Sequence, residues 1–116
     1  MPTMQYVRRE QSARARSESD IFIGQVSSQM LNANPQYRVS EVAFSAGGRT
    51  KWHTHTFHQV LVITEGRGVV ATEDEERHVT PGDVLYIEPG TRHWHGAEPD
   101  AAMTHLSLNG EGETSW

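Results

Sequence analysis

Residues 52–59 read Trp-His-Thr-His-Thr-Phe-His-Gln. On an extended chain alternate side chains share a face, so His53 and His55 project to the same side. Phe57 and Gln59 share that parity. His58 has the opposite parity and is expected to point outward and to be dispensable. A third imidazole can come from His93, which follows a separate turn. Two same-face imidazoles and one from a neighbouring strand can converge on a divalent cation at about 2.0–2.2 Å. Gln59 can add a neutral oxygen ligand, leaving room for water or substrate. The competing reading is a pair of surface histidines beside a loop, and His-x-His alone does not separate the two. The chain has seven histidines, six of them between His53 and His95, and no cysteine, which excludes thiolate metal sites, disulfides and a cysteine nucleophile.

The elements that must position these residues are short strands joined by turns. The periodicity predicts strands over residues 37–44, 57–64, 68–72, 84–88, 93–95 and 102–108. Val60-Leu61-Val62-Ile63 is a continuous apolar run that predicts a strand covered on both faces. Turn signals stand at Asn32-Ala33-Asn34-Pro35, Ala46-Gly47-Gly48, Glu65-Gly66, Pro81-Gly82-Asp83 and Pro89-Gly90-Thr91, with a charged hairpin tip at residues 73–76. No convincing helical period occurs after residue 20, and residues 8–18 could form a short helix. This pattern predicts an all-β sandwich or barrel. The expected organisation is a polar N-terminal segment over residues 1–19, one domain over 20–110 and a loose tail over 111–116.

With 116 residues there is room for one domain. Fifteen Asp and Glu against ten Lys and Arg give a formal net charge of −5, which argues against a nucleic-acid partner. The four arginines between Arg8 and Arg16 alternate with small and acidic residues and read as a solvated segment. No run is apolar enough to span a membrane as a helix. The N-terminus lacks the apolar core of a signal peptide, so a cytoplasmic location is expected. The chain contains neither a phosphate-binding glycine loop nor Gly-x-Ser-x-Gly. Arg67 and Arg92 read as surface residues beside turns.

The glycine and proline punctuation around the histidines strongly resembles the cupin superfamily. Gly47, His53, His55, Gln59 and Gly66 fit its first motif, with Gln59 where glutamate is usual. Gly82, Gly90 and His93 fit its second, with Glu88 in place of a proline and Ala97 in place of an asparagine. The resemblance covers about residues 37–108 and implies a double-stranded β-helix, a jelly-roll barrel. Trp52-His53-Thr54-His55, Gln59, Pro81-Gly82-Asp83-Val84, His93-Trp94-His95-Gly96-Ala97 and Ala102-Met103-Thr104-His105-Leu106 further resemble the small bacterial manganese-dependent cupins. Some of those are hydroxynitrile lyases.

That resemblance implies metal ligation by His53, His55, Gln59 and His93, and a catalytic base at His105. Read from its strand alone, His105 could equally be a core histidine bonded to a backbone carbonyl. The metal is expected to be Mn(II) or Fe(II), with Zn(II) or Ni(II) possible, because spacing does not choose among them. A neutral Gln59 leaves that metal more positive than a carboxylate would, which favours Lewis-acid chemistry. Family likeness turns Ser40, Val42 and Phe44 toward the cavity. Leu61, His95, Met103 and Asn109 complete the expected pocket, with Ser40, Val42 and Asn109 as positions for tuning. Trp52 and Trp94 read as packing residues.

The function so implied is a lyase that cleaves or forms a small cyanohydrin, with the metal holding the hydroxyl oxygen and His105 taking its proton. The alternatives are a mononuclear Fe or Mn oxygenase and a non-catalytic metal-binding cupin. A homodimer is expected from family likeness, with the segment from Ile21 to Val26 as interface or edge cover.

Overall fold

The computed structural model describes residues 2–116. Two antiparallel sheets enclose the core. The first has six strands, β1 (Ala15–Arg16), β3 (Val26–Ala33), β4 (Tyr37–Phe44), β12 (Met103–Gly110), β7 (Gln59–Gly66) and β10 (Val84–Ile87), in that spatial order. The second orders β2 (Phe22–Ile23), β5 (Arg49–Thr50), β11 (His93–Ala97), β8 (Gly68–Thr72) and β9 (Glu76–Val79). A two-stranded ribbon pairs β6 (Thr54–His55) with β13 (Thr114–Ser115). Among the described residues no sheet closes on itself; the architecture is all-β, with two antiparallel sheets face to face.

Alternation builds the core. Val42 and Phe44 from β4, Leu61 and Ile63 from β7, and Met103 from β12 meet Val70, Val79 and Ala97 of the second sheet. Leu61 and Ile63 are buried, but Val60 and Val62 are only half-buried. The expectation of cover on both faces therefore holds for the inner side alone. On the outer side Val84 and Tyr86 of the adjoining edge strand are exposed as well. Gly66 shows why the motif glycines are needed. It turns β7 toward β8 at φ 74°, and a Cβ there would strike the Ala102 carbonyl.

Both termini depart from expectation. Residues 8–18 form no α-helix; they hold a 3₁₀ turn over Gln11–Ala13 and then strand β1, which pairs with β3. The arginines here are not uniformly solvated. Arg14 Nε and Nη2 each lie 2.8 Å from Glu41 Oε1, and Arg9 Nε lies 2.9 Å from Oε2 but off the hydrogen-bonding direction. Glu41 is a buried carboxylate facing outward from β4, so this ion pair draws the segment onto the sheet. The tail is docked rather than loose. Thr114 pairs with His55, and Thr56 and Glu113 exchange two 2.9 Å hydrogen bonds.

Candidate metal centre

Backbone pairing brings the histidines together. His53 and His93 form an isolated antiparallel bridge, His53 N–H donating to His93 O at 2.9 Å and His93 N–H to His53 O at 3.0 Å. Gly90 N–H donates to His55 O at 2.8 Å and ties the second turn to the first histidine segment. One ring nitrogen from each of His53, His55 and His93 then falls within 4.8 Å of the others, and all three residues are buried. As the parity argument required, Phe57 and Gln59 are buried on the same side and His58 is exposed, bonded to the Tyr86 hydroxyl.

The tautomers suit a cation. His53 Nδ1 lies 2.8 Å from Lys51 O, His55 Nδ1 3.0 Å from Phe57 O, and His93 Nδ1 2.8 Å from Thr91 O. A carbonyl accepts only, so each Nδ1 carries the proton and each Nε2 presents a lone pair. His93 Nε2 is buried with no hydrogen-bond partner. His55 Nε2 faces Gln59 Oε1 at 3.0 Å, which sets two acceptors against each other. Two ligands at right angles on one cation at about 2.1 Å would stand about 3 Å apart. The residues present therefore fit a divalent cation held by three imidazoles and the Gln59 oxygen.

Electrostatics agree with neutral ligands. Burial, opposed by the Lys51 carbonyl, lowers the pKa of His53. Burial, with repulsion from His53, brings His93 down to about 4.

Beside the cluster lies a cavity of about 260 Å³. His53, His55, Gln59, His95 and His105 line it, together with Ser40, Val42, Thr50, Phe57, Ser107, Asn109 and Thr114. Ile21, Phe22 and Met30 contribute apolar surface. Of the expected pocket residues, Ser40, Val42, His95 and Asn109 border this space. Phe44, Leu61 and Met103 do not; each is at most 1% exposed and fills the core behind the cavity wall. They pack in the core, Phe44 with its ring centroid 5.4 Å from that of His105, so shared parity places them inward without placing them at the pocket.

His105 lies fully buried on β12, with its Nε2 3.0 Å from His95 Nδ1. His105 Nδ1 makes no well-formed hydrogen bond, although the backbone carbonyls of His105 and Leu106 lie near enough to oppose the effect of burial. Burial pulls its pKa down to about 4 and keeps it neutral near pH 7. His95 lies outside the three-histidine cluster and receives structural support from Thr50, whose hydroxyl accepts its backbone N–H at 3.2 Å. The His95–His105 pair was not anticipated as a unit. Cross-sheet contacts of this kind leave no spacing signal in the sequence.

The remaining candidates stand apart from the cavity. Trp94 lies under Arg49 at 3.6 Å and Trp52 under Arg92 at 4.8 Å. Arg67 pairs with Asp100 at the surface, and exposed His78 with Glu98 at 2.6 Å.

Comparison with known proteins agrees with this geometry. The (R)-mandelonitrile lyase of Granulicella tundricola is 41% identical over 102 residues, covering 83% of this chain and 76% of that protein. A cupin-like protein of Thermotoga maritima superposes with a TM-score of 0.84 at 34% identity, over 88% of this chain and 83% of the other. The polyketide cyclase of Streptomyces resistomycificus shares the fold, with a TM-score of 0.80 at 17% identity over 93% and 82% of the two chains. Residues 40–109 match the family described as the cupin domain. The chain belongs to the cupin family.

Proposed function

We propose that this cupin is a metal-dependent lyase acting on small cyanohydrins, cleaving them to an aldehyde and hydrogen cyanide or running the reverse. The observation that carries the reading is the convergence of three proton-free Nε2 atoms beside a cavity that also holds the neutral His105–His95 pair. The 41% identical mandelonitrile lyase supplies the substrate class. Mn(II) or Fe(II) is the proposed metal.

His53, His55, His93 and Gln59 hold the cation, which when bound supplies Lewis acidity toward the substrate hydroxyl. The chain does the rest. Val42, Ile21, Phe22 and Met30 offer apolar surface to the organic group, while Ser40 and Asn109 present polar groups at the cavity wall. His105, neutral near pH 7, accepts the hydroxyl proton in concert with His95. The O–H electron pair becomes the second bond of the carbonyl, and the bond to the nitrile carbon breaks with its pair leaving on cyanide. The proton held by the histidine pair then passes to cyanide, which restores the starting protonation. His105 as base and Ser40, Val42, His95 and Asn109 as substrate contacts belong to this reading. It also includes a cytoplasmic location and a homodimer formed through the segment from Ile21 to Val26, where Ile23 is exposed; light scattering checks the dimer.

The test is benzaldehyde release from mandelonitrile by the metal-loaded protein, above the spontaneous rate. Release that disappears on chelation and returns with metal is the expected result. No metal-dependent release across a panel of small aromatic and aliphatic cyanohydrins would reject the lyase reading. Oxygen consumption with catechol-like or diketone substrates would then favour the oxygenase.

A further inference from the structure

We infer that Ser107 and Asn109 are positioning residues that fix the side-chain amide of Gln59 with its oxygen toward the metal. The inference rests on the metal-centre reading and adds the means by which a neutral ligand is kept in the correct orientation.

A glutamine amide has two ends of nearly equal size and opposite polarity. Only the oxygen end can bind a cation; the NH₂ end would present two hydrogens to it. Nothing in the backbone of Gln59 chooses between them. The choice is made by β12, whose Asn109 stands opposite Gln59 in the strand register. Gln59 Nε2 donates to Asn109 Oδ1 at 2.8 Å and to Ser107 Oγ at 3.1 Å. Ser107 Oγ in turn donates to Asn109 Oδ1 at 2.9 Å. Both amide protons of Gln59 are thereby used, and the Ser107 hydroxyl has one acceptor role and one donor role filled. With Asn109 presenting Oδ1 to the ring, reversing Gln59 alone would set its oxygen against that oxygen, so the three bonds turn Gln59 Oε1 away, toward His55 Nε2.

In the metal-free chain this orientation is costly. The bare lone pair of His55 Nε2 meets Gln59 Oε1 at 3.0 Å, whereas the flipped amide would donate to it. Ser107 and Asn109 therefore hold the site against its own local preference, and a cation between the two acceptors removes the conflict. Second partners of this kind typically change metal affinity by about 10- to 100-fold when removed. Ser107 and Gln59 are buried and Asn109 is half-buried at the cavity wall.

The full-length protein is stripped of metal and titrated with Mn(II), following the free ion by electron paramagnetic resonance. Asn109→Ala should weaken Mn(II) binding about 10- to 100-fold, and Gln59→Ala by a similar factor. The double variant should bind no more weakly than Gln59→Ala alone, because Asn109 acts through Gln59. Asn109→Asp retains an acceptor facing the amide and should bind Mn(II) at least as tightly as the parent. Unchanged affinity in Asn109→Ala, losses that multiply in the double variant, or a tenfold loss in Asn109→Asp would each overturn the inference while leaving the metal centre standing. Should Asn109→Ala fail to fold, Ser107→Ala takes its place, with the same cycle against Gln59→Ala. A parent protein that binds no Mn(II) would overturn the metal-centre reading and this inference with it.

Discussion

In the proposed reading, different side chains hold the metal and handle the proton. His55 Nε2 faces the cluster, whereas His58 lies outside and bonds Tyr86. His55→Ala should lose most of the bound metal and His58→Ala should keep it, measured by metal analysis of the purified variants. Equal loss in both would contradict the alternation. His105→Ala should retain metal but lose cleavage by about 10²- to 10⁴-fold if the residue is the base. Full activity in that variant would remove the base assignment and leave the reaction standing. The pH profile carries a separate expectation. With burial holding His105 at about 4, the neutral form persists from neutral pH down to that value. The kcat/KM of the metal-loaded enzyme should show its acid limb near pH 4, with no inflection at 6.5. The common face of His53, His55 and Gln59 was legible because they obey a period of two. The partnership of His95 with His105 was not, because it crosses from one sheet to the other, and that of Gln59 with Ser107 and Asn109 was not, because it joins strands far apart in sequence.

Among the elements, strands 37–44 and 68–72 were legible to the residue, since turn signals bound them, Asn34-Pro35 and Gly47-Gly48 around the first, Gly66 and the charged tip at residues 73–76 around the second. The histidine segment was legible as a face but not as a strand. There His53 makes a single bridge to His93, and Thr54–His55 pairs with the tail. The termini were the least legible. A two-residue strand such as β1 carries no period, and its docking depends on Arg14 meeting a buried Glu41 on another strand. That pairing has a measurable consequence. Removing the Arg14 cation leaves the 1% exposed Glu41 carboxylate with only the misaligned Arg9. Breaking a buried pair from one side costs about 3–5 kcal/mol, and Arg9 offsets part of it. Arg14→Ala should therefore destabilise the fold by about 2–4 kcal/mol in urea unfolding. Glu41→Gln in the Arg14→Ala background should recover part of that loss, because the uncompensated charge is gone. A midpoint unchanged by Arg14→Ala would return the N-terminal arginines to the solvated role expected of them.

For the molecule as a whole, clustering so many neutral imidazoles inside a small β fold makes stability depend on pH. His93 and His105 are both held at about 4 by burial, against an ordinary 6.5. Above pH 6.5 neither the folded nor the unfolded chain takes up these protons. Between 6.5 and 4 the unfolded chain binds them and the fold does not, so stability falls as the pH falls. Below 4 both states are protonated and the loss is complete. Each such histidine contributes a slope of up to about 1.4 kcal/mol per pH unit inside that window. Exposed His78 is raised by its bond to Glu98 and runs in the opposite direction, but solvent screening keeps its influence small. Urea unfolding of the metal-free chain, repeated from pH 7.5 to 4, should show a midpoint that is flat above 7 and declines steeply below 6. His105→Leu should make that decline shallower, since one of the refused protons is gone. A midpoint that does not move between pH 7 and 4.5 would show that these imidazoles titrate like exposed ones, and the neutral pair proposed to handle the substrate proton would lose its electrostatic basis.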